Sequence, residues 1–494
     1  MKKIQAPDTY VIIFFVVLLA FGLSWIVPCG QFETRTVHYE HQGKITEKTV
    51  LDPNSFSYSE KEKYARTPIF GEGGQPGFFN YVFDGITSGD KWGSAVGVIA
   101  FILVIGGAFG IILRTGVIDT GINAMILKTR GKDILLLPMM FLLFSLGGAV
   151  FGMGEEAIAF SMVLVPMVIA IGYDAITGIM ITFVATQIGF AASWMNPFSV
   201  AIAQGIAEVP VMSGAVFRIV MWLIFTLIGM IYTVIYAKGV KANPGKSFSK
   251  ESDEFFLRNQ KETGLKDHKM MFPDKLILLT IFISICWTIY GVMFKGYYIP
   301  EIASQFFVMG LVSGMIAVVF RLNGMRINDI AEGFRQGAGD LLGAALIVGM
   351  AKGIIIILGG DDPAVPSVLN TILYKMGSVV AHFPAVVSGW LMYVFQSIFN
   401  FFVVSGSGQA ALTMPLMAPL ADMAGLERQI AVLAFQLGDG FTNLIVPTSA
   451  SLMGCLAVAR LDWVKWAKFQ WKFQIMLFGI GSFFIISAVL LGLK

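Results

Sequence analysis

The sequence predicts an all-α polytopic membrane protein made of two inverted repeats, each with a re-entrant helical hairpin and a broken transmembrane helix. Three observations carry that expectation. The 494 residues are 56% hydrophobic and only 14% charged, whereas a soluble domain carries about 25% charged residues. The apolar runs are about 20 residues long, which suits spanning helices rather than ~10-residue barrel strands. Finally, GAVFGMGEEAIAFSMVLVPMVIAIGY (148–173) is nearly repeated by NFFVVSGSGQAALTMPLMAPLADMAGL (400–426). Gly154-Glu155 aligns with Gly408-Gln409, Pro166 with Pro419 and Gly172 with Gly425. A polar break within apolar arms, once in each half, is the pattern of a repeat-built transporter.

In residues 1–77, Lys2 and Lys3 precede the apolar run Tyr10–Pro28. That run is long and lacks a small-residue cleavage site, so it reads as a first spanning helix with its amino terminus inside. Residues 31–92 then lie outside. Strand-forming residues around Gln42-Gly43 predict a small hairpin over 34–50.

The first repeat covers 78–237. Trp92–Leu113 spans inward, and Arg114, Lys128, Arg130 and Lys132 mark an amphipathic piece, RTGVIDTGINAMILKTRGK, along the cytoplasmic surface. In 133–171 each arm, 134–151 and 157–171, is about 23–27 Å as helix, short of the ~30 Å hydrocarbon core. A re-entrant hairpin from the inside with its tip at 152–156 fits. The broken helix 175–205 is interrupted at Ser193-Trp194-Met195-Asn196-Pro197, and Ser213–Tyr236 crosses back.

The linker 238–275 is cytoplasmic by its Lys and Arg excess and is expected to be mobile, without a core. Scaffold helices fill 276–326, with Leu276–Tyr297 outward and Ala303–Phe320 inward. The second repeat, 327–493, opens with EGFRQGAGDLLGAA (332–345), similar to DGITSGDKWGSAVG (84–97) but starting inside. Leu341–Leu358 spans outward and Asp361 and Asp362 follow outside. A hairpin over 384–421 enters from outside with its tip at 404–409. The broken helix 429–459 is interrupted near Asp439–Pro447, and Trp471–Leu493 ends outside. The basic residues alone thus give 78–237 and 327–493 opposite orientations.

Non-helical backbone cannot face lipid, because each unpaired N–H or C=O costs several kcal/mol there. The two tips and two breaks must therefore face protein or a water-filled cavity. The breaks are chemically alike: TQIGFAASWMNP contains Gln187, Ser193, Asn196 and Pro197, and FQLGDGFTNLIVPTS contains Gln436, Asp439, Thr442, Asn443, Pro447, Thr448 and Ser449. Each proline removes a donor and forces the helix apart. Helix packing accounts for any single Ser or Thr; two matched clusters point to ligand contacts. The substrate-binding candidates are Glu155, Glu156, Ser193, Asn196, Ser405, Ser407, Gln409, Asp439, Asn443 and Thr448, with Na⁺ as a coupling ion near Ser193, Asn196, Thr442 and Asn443.

Glu155, Glu156, Asp439 and Lys352 fall inside predicted spans, where each costs about 2.5–3.5 kcal/mol by insertion scales. Lys352 is expected to pair with one of these carboxylates. The remaining negative charge favours a cation: Na⁺, H⁺, or a cationic substrate such as arginine or ornithine. Cys29, Cys286 and Cys455 have no metal spacing and read as buried thiols. Tyr173-Asp174 and Leu437-Gly438-Asp439 resemble intramembrane aspartyl proteases weakly, since Gln436 stands where glycine is needed. No HExxH or Walker A motif occurs. The chain is thus expected to be no enzyme, to need no cofactor, to bind no nucleic acid, and to be driven by gradients or exchange.

PDTYVIIFFVV, SLGGAVFGMGEEA, ATQIGFAASWMNPF, EIASQFFVMGLV, FRLNGM, NFFVVSGSGQAALTMPLMAPL, FQLGDG and PTSASLM resemble the YfcC family across nearly the whole chain. Its members are described as basic amino acid antiporters, related to arginine–ornithine exchangers and anaerobic C4-dicarboxylate carriers within the ion transporter superfamily. The resemblance implies a scaffold and a transport domain, two opposed re-entrant hairpins and a homodimer. The expected function is elevator-like antiport of basic amino acids across a bacterial inner membrane. The alternative is a Na⁺- or H⁺-coupled carrier of C4-dicarboxylates or other small organic acids, with Lys352 or half-helix amides holding the anion.

Overall fold

Apolar runs become helices because only a helix pairs every backbone N–H and C=O within one segment. The computed structural model describes residues 8–494 except 42–43, 61–63, 93, 119, 122–132, 197, 211, 263–269 and 381–382. Most of the amphipathic piece expected over 114–132 and Pro197 lie outside the described residues. Among those described, six helices are long and apolar enough to cross a membrane: Thr9–Ile26, Ala95–Arg114, Ala215–Ala242, Phe272–Tyr290, Ile299–Val319 and Trp463–Leu491.

In chain order the helices are α1 (Thr9–Ile26), α2 (Tyr81–Thr87), α3 (Ser94–Arg114), α4 (Leu136–Phe151), α5 (Glu156–Ala170), α6 (Ala175–Ile179) and α7 (Ala185–Ala191). They continue as α8 (Val200–Ile206), α9 (Ala215–Ala242), α10 (Lys250–Glu262), α11 (Phe272–Tyr290), α12 (Ile299–Val319), α13 (Ile327–Asp340) and α14 (Leu342–Ile357). The last are α15 (Val368–Val380), α16 (Ala385–Phe399), α17 (Gly406–Met423), α18 (Arg428–Thr442), α19 (Ala450–Val458) and α20 (Trp463–Leu491). The expected ribbon forms from β2 (Thr34–His41) and β3 (Lys44–Leu51), antiparallel with Thr34 opposite Leu51, beside a short pair β1 (Gly30–Gln31) and β4 (Ser57–Tyr58).

The helices pack mainly in two groups. In the first, α3 lies on α12, α13 and α14, while α2 and α1 lie on α14. Glycine sets these crossings. A Cβ on Gly337 would stand 2.1 Å from the Gly106 carbonyl oxygen, and one on Gly110 would stand 2.2 Å from that of Gly333. A Cβ on Gly85 would stand 2.0 Å from the Gly349 oxygen. Small residues let backbones touch where lipid supplies no hydrophobic force between helices. The second group joins α4 and α5 to α6, α7 and α9, and α16 and α17 to α18 and α20, with α7 on α18 and α5 on α19. The two groups meet chiefly where α14 packs on α19 and α3 on α5.

Ion pairs tie the helices together: Arg114 with Asp329 and Glu332, both at 2.8 Å, Arg460 with Asp340 and Lys465 with Glu251. Thr371 Oγ1 donates to the Pro28 carbonyl, and Arg428 pairs with Glu208, which also meets Arg35 of β2.

Four expectations need correction. The linker is not without contacts: α10 docks, with Ser252 donating to the Ala459 carbonyl, the Ala175 N–H donating to Asp253 at 2.8 Å, and the Arg460 guanidinium 3.9 Å from the Phe255 ring centre. α15 was not foreseen; its length falls below a span, so hydropathy gave no cue. The second break starts later than Asp439, because α18 runs on to Thr442. The glycines of Ser405-Gly406-Ser407-Gly408 do not unwind the chain: α17 already begins at Gly406, since Ser405 caps it, and glycine costs little beside an N-cap. The non-helical turn lies earlier, at 400–405.

Candidate functional site

The first tip forms where α4 ends on Gly152, with φ +69, a left-handed conformation that glycine adopts without strain. A Cβ there would also fall 2.4 Å from the Asn196 Oδ1, so the tip is seated against the first break. The Gly154 N–H donates to the Glu156 carboxylate at 2.9 Å, which turns Glu156 back onto its own tip and leaves Glu155 to face outward.

The second tip is fixed from behind. Asn400 Nδ2 donates to the Asp439 carbonyl at 3.1 Å and to Asn443 Oδ1 at 2.7 Å. Ser405 Oγ accepts from the Gly408 N–H at 3.2 Å. The breaks are tied in the same way. Ser193 Oγ donates to the Ala149 carbonyl at 2.6 Å and accepts from the N–H groups of Met195 and Asn196, at 3.0 and 2.7 Å. Thr448 Oγ1 donates to the Phe401 carbonyl at 3.0 Å. Asn443 Nδ2 approaches Gln187 Oε1 at 3.5 Å, and Gln436 Nε2 donates to the Ser193 carbonyl at 2.6 Å, linking break to break.

These four elements surround one cavity of about 520 Å³, a size within the ~300–1,000 Å³ range of small-molecule sites. Gly152, Gly154 and Glu155 enter from the first tip, Ser405 to Gly408 from the second, Gln187 and Phe198 from around the first break, and Asn443 and Thr448 from the second. Trp92, Tyr298 and Lys352 close the side formed by the other helix group, and the exposed Asp90 and Asp361 mark the mouth, beside the buried Val50 of β3.

Among the sequence-derived candidates, Glu155, Ser405, Ser407, Asn443 and Thr448 line this cavity. Glu156, Ser193, Asn196, Gln409 and Asp439 stand behind it. Gln409 Nε2 is engaged by the Gln396 carbonyl at 3.0 Å and side-chain oxygen at 2.7 Å. Ser193, foreseen near a Na⁺, already has its hydroxyl shared among three backbone groups. Asp439 is wholly buried. Neither of its carboxylate oxygens meets a hydrogen-bond donor among the described residues, and a Cβ on Gly406 would lie 3.4 Å from one of them.

Lys352 corrects an expectation. Its ammonium pairs with Asp361 at 2.6 Å rather than with an intramembrane carboxylate. The chain leaves α14 through Gly359 and Gly360, at φ +98 and +90, and this reversal returns Asp361 to the helix. Sequence reasoning placed Gln187 in the first break without assigning it to the site, and missed Trp92 and Tyr298 altogether. Both aromatic residues sit at helix entrances in the other helix group, where nothing in the local pattern signals a cavity.

A family model for the C4-dicarboxylate anaerobic carrier matches residues 6–490. An Escherichia coli (strain K12) protein described as "Putative basic amino acid antiporter YfcC" is 51% identical over 496 residues, covering 99% of this chain and 98% of that one. An uncharacterized protein of Haemophilus influenzae is 30% identical, over 99% and 98% of the two chains. Among solved structures, the Alcanivorax borkumensis YdaH transporter covers 98% of this chain and 99% of its own, at 14% identity and a TM-score of 0.41.

Proposed function

The chain belongs to the C4-dicarboxylate anaerobic carrier family, and from that premise we propose that this multi-pass membrane transporter exchanges basic amino acids of the arginine and ornithine type. One observation carries the reading. The cavity between tips and breaks holds the Glu155 carboxylate, with Glu156 and Asp439 close behind, while Lys352, the one lysine among the described lining residues, pairs with Asp361 instead. Uncompensated carboxylates in a low-dielectric cavity attract cations. The relative described as a basic amino acid antiporter supports the same class.

Glu155 receives the cationic group of the substrate or coupling ion. Ser405, Ser407, Asn443 and Thr448 supply neutral hydrogen bonds, and Glu156, Ser193, Asn196, Gln409 and Asp439 hold or polarise that set. The two helix groups suit a scaffold (α1–α3, α11–α14) and a moving domain that bears both tips. Inverted repeats and an elevator-like stroke are the natural motion of that division. Exposed apolar side chains on α11 and α12, such as Phe282, Trp287 and Leu311, offer a surface for lipid or for a second copy in a homodimer. The Lys- and Arg-rich linker 238–275 faces the cytoplasm, of a bacterial inner membrane.

The test is uptake of labelled arginine into proteoliposomes loaded with ornithine. Uptake that requires internal ornithine supports exchange. A second reading draws on the family model's own description: a Na⁺- or H⁺-coupled dicarboxylate carrier, in which the carboxylates serve the ion. Succinate uptake driven by a Na⁺ gradient, with no arginine exchange, would replace the first reading by the second.

A further inference from the structure

Four residues of α14, Val348, Ala351, Lys352 and Ile355, line the cavity. Their spacing of three, one and three residues is a single helical face. Among the described lining residues Lys352 is the one base; the other charged groups, Asp90, Glu155 and Asp361, are acids. The Lys352 side chain is 18% exposed, and that of its partner Asp361 is 45% exposed. An ammonium carries three donors, and the contact with Asp361 is the one hydrogen bond Lys352 makes among the described residues. Asp361, nearly half in water, is the screened partner of the two, so it can turn to solvent while another carboxylate takes its place on the lysine.

Resting on the reading of the cavity as an amino acid site, we propose that Lys352 is its specificity-determining anion contact, held by Asp361 when the site is empty. A substrate entering from the mouth places its α-carboxylate on Lys352 and releases Asp361 to water, while its cationic end reaches Glu155. Substrates must then carry both charges; a diamine or a decarboxylated amino acid meets only one end. Because α14 packs with the group that does not bear the tips, the contact forms from the mouth face alone. Loss of Lys352 therefore alters uptake from that face and spares uptake from the other.

The test compares wild type, Lys352→Met and Asp361→Asn in oriented proteoliposomes, with arginine, its decarboxylated analogue agmatine, and succinate. Wild type takes up arginine and rejects agmatine. Lys352→Met raises the arginine KM at the mouth face by roughly tenfold to a hundredfold, the range for a lost hydrogen bond to a charged group, and no longer discriminates against agmatine. Asp361→Asn, which keeps the lysine, lowers that KM by about two- to fivefold as the competing carboxylate is removed. Unchanged arginine KM values in both variants, with agmatine still rejected, overturn the assignment while leaving arginine exchange standing. If wild type carries only succinate, the amino acid reading falls. The anion contact then stands if Lys352→Met abolishes succinate uptake and falls if it does not. A wild-type protein that takes up none of the three refutes both.

Discussion

Gly337 and Gly339 lie two residues apart on α13, and their substitution by alanine should have opposite effects. At Gly337 a Cβ would stand 2.1 Å from the Gly106 carbonyl oxygen and 2.7 Å from the Gly110 Cα. Both obstacles are backbone, so no side chain can rotate away. The methyl fits only if α13 moves off α3 by about 1 Å, opening the reciprocal contact at Gly110 as well. Overpacking of this kind costs about 1–3 kcal/mol. At Gly339 a Cβ meets nothing within 4 Å, so alanine there gains about 0.5–1 kcal/mol of helix propensity. Thermal unfolding of detergent-purified protein, followed by intrinsic tryptophan fluorescence, should show Gly337→Ala melting below wild type and Gly339→Ala at or above it. If Gly337→Ala melts at or above the wild-type temperature, the reasoning that glycine sets this crossing is wrong.

The other predictions concern chemistry. Glu155→Gln should reduce transport with unchanged melting, since the side chain faces the cavity. Ser193→Ala should lower stability by about 1–2 kcal/mol through lost hydrogen bonds while leaving the substrate KM within twofold of wild type, as read by paired melting and uptake assays. The docking of α10 should depend on pH. Burial is the main force pushing the Asp253 carboxyl up, to about 6 from an ordinary 3.8, with Asp174 adding repulsion. The docked state thus holds the proton more tightly. That contribution is complete below about pH 3.8 and fades as pH rises through about 6. Hydrogen exchange over residues 244–262 should therefore be slower at pH 5.5 than at pH 7.5, after correction for intrinsic rates. The hydrogen bonding agrees: Ser247 Oγ lies 3.0 Å from Asp174 Oδ2 and 2.7 Å from Asp253 Oδ2, and its single proton serves only one of them. Equal protection at both pH values would count against this pH-dependent docking.

What the sequence revealed and what it hid divide along physical lines. Span lengths, the first tip and the first break were legible because burial in lipid forces a chain to announce every lapse in helix, whereas the second tip and the second break fall a few residues from where their polar residues placed them. Direction was not legible. Glu155 and Glu156 are adjacent and chemically alike, yet one lines the cavity and the other closes on the Gly154 N–H, a difference made by the tip's backbone rather than by composition. Gln409 looked like a ligand group for the same reason, though Gln396, thirteen residues earlier on the opposing arm, occupies it. Lys352 shows the limit most sharply. A lone lysine in an apolar helix must find an acid, and the sequence offered three inside the membrane. It chose a fourth, Asp361, because Gly359 and Gly360 turn the chain back onto α14. That choice leaves the acids of the first tip and of α18 without an ion pair among the described residues, which is the condition a cation-accepting cavity needs.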